Sequence, residues 1–324
     1  MLRSFHRALA LVGVSLSLLL PSAVFAELDV SGEPTVSPVL TVTELKDLLD
    51  QPDVRVLDIR APQDYAAGHI PGAVNTPYGA FRGPAENAGA LRSEQELTDL
   101  LRQAGIDTSS HVVVAHAGSN QTDFGAAARV YWTLKVGGLQ QLSVLDGGTL
   151  AWQAAGEALE TATPAISPSK FSYRYQQEQL VDTEALAAAV KAGQAPLLLD
   201  ARPEAFFKGE QRVDAAARYG TLPDAQVLEH ASFFAADGKT LKSPDELRAM
   251  ARDANVIDTP AVSFCNTGHW AATNWFVLSE VAGNSQVKLY PQSIVEWSKT
   301  DLPMDNQPSR LKALAQDAKR SLKN

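Results

Sequence analysis

Residues 264–272 read Phe-Cys-Asn-Thr-Gly-His-Trp-Ala-Ala, and Cys265 is the single cysteine among 324 residues. The apolar run Ala261–Phe264 reads as a buried strand, and a helix pattern begins near Ala271. Cys265 then opens a tight loop that turns a strand into a helix N-terminus. Gly268 gives that turn a φ other residues resist. Consecutive N–H groups of such a loop converge into an anion-holding nest, and the helix dipole adds partial positive charge at the same place. That field favours the thiolate, which is the nucleophilic form of cysteine. A free cysteine is also commonly a small buried hydrophobe. The neighbours Asn266, Thr267, Gly268 and His269 weigh against that, because polar and turn residues fill a core poorly. His269 offers a hydrogen bond or, when protonated, a positive charge; a plain surface-loop histidine is the alternative. Trp270 reads as a packed lid over the loop.

The elements that must position this loop are written twice. Val56-Leu57-Asp58-Ile59-Arg60 reappears as Leu198-Leu199-Asp200-Ala201-Arg202, and Gly68-His69-Ile70-Pro71-Gly72-Ala73 reappears, degraded, as Gly220-Thr221-Leu222-Pro223-Asp224-Ala225. An amphipathic helix pattern precedes each Asp-x-Arg, at Thr43–Leu49 and Thr183–Leu186. Ser93-x-x-Glu96 and Ser243-Pro244-x-Glu246 are capping boxes that start a second helix in each half. A buried strand follows, His111–Ala115 and Ala261–Phe264, then a polar loop and an apolar helix, Gly125–Val136 and Ala271–Val281. Trp152 and Trp297 close the two halves. The second half carries an insertion, Pro203–Tyr219. Short apolar strands alternating with helices predict an α/β fold of two like domains, each a mostly parallel sheet with helices on both faces. The expected boundaries are 39–158 for the first domain, 159–172 for a linker, 173–302 for the second domain and 303–324 for a polar tail.

With these residues in place, the chain resembles the two-domain sulfurtransferases of the rhodanese superfamily over roughly Thr41 to Leu302. The resemblance rests on Leu57-Asp58-x-Arg60, Tyr65-x-x-Gly68-His69-Ile70-Pro71-Gly72-Ala73, Asp146-Gly147-Gly148 with Trp152, and the Cys265-x-x-Gly268 loop. It implies tandem rhodanese-like domains of which only the second is catalytic. The matching place in the first half, Ala115-His116-Ala117-Gly118-Ser119, has no cysteine, and its loop reads as about four residues longer. The implied chemistry is ping-pong: Cys265 takes sulfur from a small anionic donor, thiosulfate or 3-mercaptopyruvate, as a persulfide. It then passes the sulfur to a thiol or cyanide-like acceptor, a protein thiol included. No cofactor and no metal is implied. The loop carries neither the Arg or Lys usual in thiosulfate-type loops nor the Cys-Gly-Ser-Gly-Val of mercaptopyruvate-type loops, so donor identity stays open. In the second half Asp-Gly-Gly has become Tyr290-Pro291-Gln292-Ser293.

An anionic donor needs positive charge. Arg82 in the first half and Arg212 in the insertion are the candidates, since a guanidinium fork suits sulfonate or carboxylate; solvated surface charge is the alternative for each. Asp58 and Asp200 end buried strands and read as partners of Arg60 and Arg202, with Asp200 supporting the Cys265 loop. His69 reads as part of its turn. A cysteine phosphatase of this architecture needs Cys-x5-Arg, and position 271 is alanine. A cysteine protease needs a His and an Asn or Asp aimed at the thiol, which the repeat does not suggest. A persulfide carrier without turnover, or a degenerate binding module, is the competing reading.

Composition is that of a globular chain, 45% hydrophobic and 20% charged with formal charge −9. The acidic balance argues against a nucleic-acid partner. A single cysteine excludes an internal disulfide and a cysteine-built zinc site. Residues 1–26 read as a secretory signal: Arg3 and Arg7 precede a short apolar run, and Ala23-Val24-Phe25-Ala26 offers a cleavage site. The run is short for a membrane span of ~20 residues, so cleavage after Ala26 and a periplasmic or secreted location are expected, with no membrane span afterwards. Cleavage removes Arg3 and Arg7, which takes the formal charge from −9 to −11.

Overall fold

A computed structural model describes residues 36–321. The signal-peptide expectation for residues 1–26 lies outside the described residues.

The first half runs β1 (Val39–Leu40), α1 (Val42–Leu48), β2 (Val54–Asp58), α2 (Pro62–Ala67), β3 (Val74–Asn75), α3 (Glu94–Gln103), β4 (His111–Ala115), α4 (Gln121–Val136), β5 (Leu142–Leu145) and α5 (Gly148–Ala154). The second runs α6 (Thr183–Lys191), β6 (Leu197–Asp200), α7 (Glu204–Phe207), β7 (Gln226–Val227), α8 (Pro244–Asp253), β8 (Ala261–Phe264), α9 (Trp270–Phe276), β9 (Val287–Leu289) and α10 (Ser293–Trp297). α9 continues through a π-helical turn, Val277–Val281. The tail forms α11 (Arg310–Ser321).

The first sheet has the order β1-β5-β4-β2-β3 and the second β7-β6-β8-β9, and every pairing is parallel. The orders are the same when a lone parallel bridge, Leu180 to Leu289, stands for the missing edge strand. The inner strands β4, β5 and β8 are buried along their length, and β2 and β6 at all but one position, as sheets covered on both faces require; the edge strand β7 is exposed. Equivalence extends to single hydrogen bonds. Trp152 Nε1 donates to Ala158 O and Trp297 Nε1 to Pro303 O, both at 2.9 Å. Both expected capping boxes form, with the Ser93 and Ser243 amides each 3.0 Å from the glutamate three residues on.

The two halves share one core, because α4 and α9 pack against each other. Phe276 sits edge-on to Phe124 at 5.5 Å and to Tyr131 at 4.9 Å. Such pairs contribute roughly 0.5–1.5 kcal/mol each beyond their buried area. The segment between the domains is strapped to the first half: Arg102 Nε donates to Phe171 O at 2.6 Å, and the Ser169 amide donates to Arg102 O at 3.0 Å.

Two local expectations are corrected. α4 starts at Gln121, four residues before Gly125, because Asn120 caps it: Oδ1 accepts from the amides of Thr122 at 2.8 Å and Asp123 at 3.2 Å. The first-half loop is therefore not longer than the second. Each has five residues between strand and helix, 116–120 and 265–269.

Candidate active site

Cys265 follows β8 at the carboxyl end of the sheet, beside Asp200 at the end of β6, where the order of connection reverses. Open parallel sheets place ligand sites at such points. Cys265 is 1% exposed. Its amide donates to Ser293 Oγ at 3.1 Å, and its carbonyl accepts from the Ile294 amide at 3.1 Å. Among the described residues, the next four amides, of Asn266, Thr267, Gly268 and His269, have no hydrogen-bond acceptor. Gly268 has φ +68°, and a Cβ there would come within 2.6 Å of Arg129 Nη1 and 2.7 Å of Pro291 Cα. Glycine is thus required both by conformation and by space.

The first half carries a matching loop in which one amide is taken by a side chain. His116 is the counterpart of Cys265: Ala115 O and Phe264 O accept from Ile59 and Ala201 at 3.0 and 2.9 Å, and His116 O and Cys265 O accept from Thr149 and Ile294 at 2.8 and 3.1 Å. There the Asp123 carboxylate accepts from the Ser119 amide at 2.8 Å and from the Ser119 hydroxyl. The first-half loop thus carries its own anion. At the same place on α9 stands Ala272, so no carboxylate there accepts from the Cys265 loop.

Cations from the first half hold the carbonyls of the loop. Arg82 Nη2 donates to Thr267 O and to Thr267 Oγ1, both at 2.9 Å, while its Nη1 is buried without a partner. Arg129, 1% exposed, donates to Thr267 O and Gly268 O at 3.3 Å, with its guanidinium 5.0 Å from the Trp132 ring centre. Burial, and then the nearby Arg82 charge, push Arg129 down to about 9, so it remains a cation at neutral pH.

His269 is half-buried and doubly bonded. Its Nε2 donates to Thr122 O at 2.9 Å, which leaves Nδ1 to accept from Tyr78 OH at 2.7 Å. Burial pushes the ring down to about 3, and Arg82 adds to the effect. His269 is therefore a neutral clamp, neither a cation nor a free surface histidine. Burial raises Tyr78, offset in part by Arg82 and Arg129. Trp270 stacks on His230 with ring centres 4.8 Å apart and meets the edge of Phe206 at 6.3 Å.

Asp200 acts on the loop through Arg202. It accepts from Arg202 Nε at 2.8 Å and Nη2 at 2.6 Å, and Arg202 Nη1 reaches Asn266 Oδ1 at 3.5 Å. Asp58 and Arg60 repeat the pair in the first half, with Nη2 and Oδ2 2.6 Å apart. His69 stacks on Tyr65 at 3.8 Å and belongs to its turn.

Arg212 is a correction. Its guanidinium donates to Asp317 of α11 at 2.9 Å and to Ala216 O at 2.7 Å, and lies over the Tyr219 ring. It holds the tail helix on the insertion and makes no contact with the Cys265 loop, because the insertion folds back toward the C-terminus. The tail is accordingly a docked helix from Arg310 onward.

Sequence reasoning misses Arg129, Tyr78, His230 and Ser293. An arginine in the middle of the mostly apolar stretch 125–136 was a signal for the first, since an unpaired buried charge is costly and seldom kept without a partner.

Known proteins agree with this geometry. The profile described as a rhodanese-like domain matches residues 41–155 and 182–300. The chain is 30% identical over 275 residues to the sulfur carrier protein TtuD of Thermus thermophilus, covering 80% of this chain and 93% of the relative. It is 27% identical over 275 residues to the 3-mercaptopyruvate sulfurtransferase of Escherichia coli K12, covering 81% and 95%. The crystal structure of the Escherichia coli 3-mercaptopyruvate sulfurtransferase SseA superposes with TM-score 0.66 at 25% identity, over 80% of this chain and 99% of that one. The anaerobic ergothioneine biosynthesis enzyme of Chlorobium limicola shares the fold, with TM-score 0.71 at 20% identity over 82% and 69%. Two parallel sheets with one strand order, a cysteine at the carboxyl edge of the second and a matching profile over both halves place this chain in the rhodanese family.

Proposed function

We propose that this protein is a sulfurtransferase that carries sulfane sulfur on Cys265. The observation that carries this reading is the run of four unpartnered amides, Asn266 to His269, beside a single cysteine. Donors fixed in advance around a buried thiol stabilise negative charge without reorganising when it develops.

The Cys265 thiolate attacks the outer sulfur of thiosulfate or the thiol sulfur of 3-mercaptopyruvate. With 3-mercaptopyruvate, the C–S bond breaks, the enolate of pyruvate leaves with the electron pair and takes the thiol proton, and Cys265 becomes a persulfide. With thiosulfate, the donor S–S bond breaks, sulfite leaves with the electron pair, and Cys265 becomes a persulfide. Cyanide or a thiolate then attacks the outer persulfide sulfur. With cyanide, thiocyanate leaves and the Cys265 thiolate returns, so atoms and electrons balance without a cofactor. The loop amides hold the persulfide anion. Arg82, with a free buried Nη1, meets the anionic head of the donor, while Arg129 keeps the loop in shape. The leader at residues 1–26 supports export to the periplasm or beyond.

A second reading is a carrier that is loaded once and discharges to a protein thiol. The sulfur carrier relative favours it. Steady-state thiocyanate formation separates the two: an enzyme turns over many times with cyanide, and Cys265→Ser removes all turnover while leaving the fold intact. Retained turnover in Cys265→Ser would end the Cys265 reading.

A further inference from the structure

The tail helix α11 is docked inside out. Helical spacing puts Ala313, Gln316, Asp317 and Arg320 on one side and Leu311, Leu314, Ala315 and Ala318 on the other. The polar side faces the insertion. Gln316 Nε2 donates to Gly209 O at 3.3 Å and to Glu210 O at 3.2 Å, Asp317 accepts from Arg212 at 2.9 Å and from Tyr219 OH at 2.7 Å, and Arg320 pairs with Asp214 at 2.9 Å. The apolar side faces away. Leu311 is 81% exposed and Leu314 60%, the most exposed large hydrophobics among the described residues. A surface helix ordinarily does the reverse and turns its apolar stripe to the core. Here no residue of the helix is buried. Polar contacts hold it in place, and its leucines are left for something outside the fold.

The charges choose what that is. The ion pairs of the helix use Asp317 and Arg320. Arg310, Lys312 and Lys319 are exposed and enter no ion pair among the described residues. Helical spacing sets Arg310 on one flank of the leucines and Lys312 and Lys319 on the other. Asp317, the one acid of the helix, faces inward. The outer face is thus apolar along its middle, basic on both edges and free of acid. It is also a ridge rather than a groove. A layer that is anionic at its surface and apolar beneath fits such a ridge: the leucines sink and the cations stay level with the headgroups. The acidic charge of the whole chain opposes this little, since charges beyond a Debye length of about 8 Å are largely screened.

We propose that α11 is an interfacial anchor that seats the protein on an anionic lipid surface, with Leu311 and Leu314 at the acyl chains and Arg310, Lys312 and Lys319 at the phosphates. The helix lies on the membrane and does not cross it, as no described helix is long and apolar enough to span. The proposal does not depend on the sulfurtransferase reading.

The test uses the chain from Glu27 onward, because the apolar leader would itself adsorb to lipid; both sheets and α11 lie within residues 36–321. The protein is sedimented with sucrose-loaded vesicles of phosphatidylglycerol mixed with phosphatidylcholine, and with vesicles of phosphatidylcholine alone. The expected result is binding about tenfold or more stronger to the mixed vesicles, weakening as salt is raised. Leu311→Ser with Leu314→Ser, a change at two exposed residues, weakens binding about tenfold while urea unfolding stays as in the parent. Lys312→Gln with Lys319→Gln weakens binding to the mixed vesicles about tenfold and leaves the phosphatidylcholine background unchanged. No binding to the mixed vesicles, or undiminished binding by the leucine variant, would overturn the proposal. A parent that instead self-associates through the two leucines would assign the face to a second copy and overturn it as well.

Discussion

The Cys265 amide donates to Ser293 Oγ at 3.1 Å, and the same hydroxyl donates onward to Tyr290 O at 2.7 Å. The first half cannot make this bond, because Gly148 stands where Ser293 does: both follow the last strand of their sheet, and both have positive φ, +60° and +54°. Serine pays a conformational cost there that glycine does not. In return it fixes the backbone under the one nucleophile. The degraded Asp-Gly-Gly landmark of the second half is thus the support of its cysteine.

Ser293→Ala leaves the buried Cys265 amide without an acceptor. An unmet buried donor costs about 1–3 kcal/mol. Urea unfolding of the variant is expected to show that loss, with slower sulfur transfer from a loop whose first residue has lost its anchor. A stability within about 0.5 kcal/mol of the parent, the range of a neutral surface change, would show that the bond does not matter.

Arg82 and Arg212 should separate cleanly. Arg82→Ala is expected to raise the KM for thiosulfate or 3-mercaptopyruvate about tenfold or more, since a hydrogen bond to a charged group contributes about 1.5–3 kcal/mol. Arg212→Ala is expected to leave KM unchanged and to make α11 more open to limited proteolysis, because Asp317 then keeps only Tyr219 OH, at 2.7 Å, as its partner on the insertion. An unchanged KM for Arg82→Ala would remove Arg82 from the donor site.

Acid should destabilise the fold through its histidines. Burial holds His116 and His230 down at about 4 and His269 at about 3, against an ordinary value of 6.5. The unfolded chain takes up these protons near pH 6.5 and the folded chain does not. Their contribution to stability is therefore complete above about pH 6.5 and is lost as pH falls toward 4. One such histidine accounts for about 2 kcal/mol between pH 6.5 and 5. His116→Phe should flatten the fall in urea-unfolding free energy over that range by about this amount. An identical slope in parent and variant would show that His116 is not buried neutral.

Much of this was legible in the sequence, and the illegible part has one cause. The repeat exposed two α/β units because strand ends such as Asp58-x-Arg60 and Asp200-x-Arg202 are local patterns with local chemistry. The cysteine loop was legible because strand, turn glycine and helix start lie within ten residues. Arg82 could be selected by charge alone, and the structure brings it onto Thr267. Arg212 was selected on the same ground and was wrongly placed, because nothing local says which way an insertion folds. Tyr78 reaches His269 across 191 residues, and Arg129 reaches Gly268 across 139. Contacts made by packing one half on the other leave no spacing to read. The extent of α4 was missed for a smaller reason, an asparagine cap that precedes the apolar stretch by several residues.

The most direct test of the central claim is the intact mass of the full chain before and after exposure to thiosulfate or 3-mercaptopyruvate, and again after cyanide. The expected result is a gain of one sulfur atom per chain, located to Cys265 by peptide mapping, absent in Cys265→Ser and removed by cyanide. A chain that gains no sulfur from either donor, or gains it equally in Cys265→Ser, would contradict the claim that Cys265 carries the sulfur.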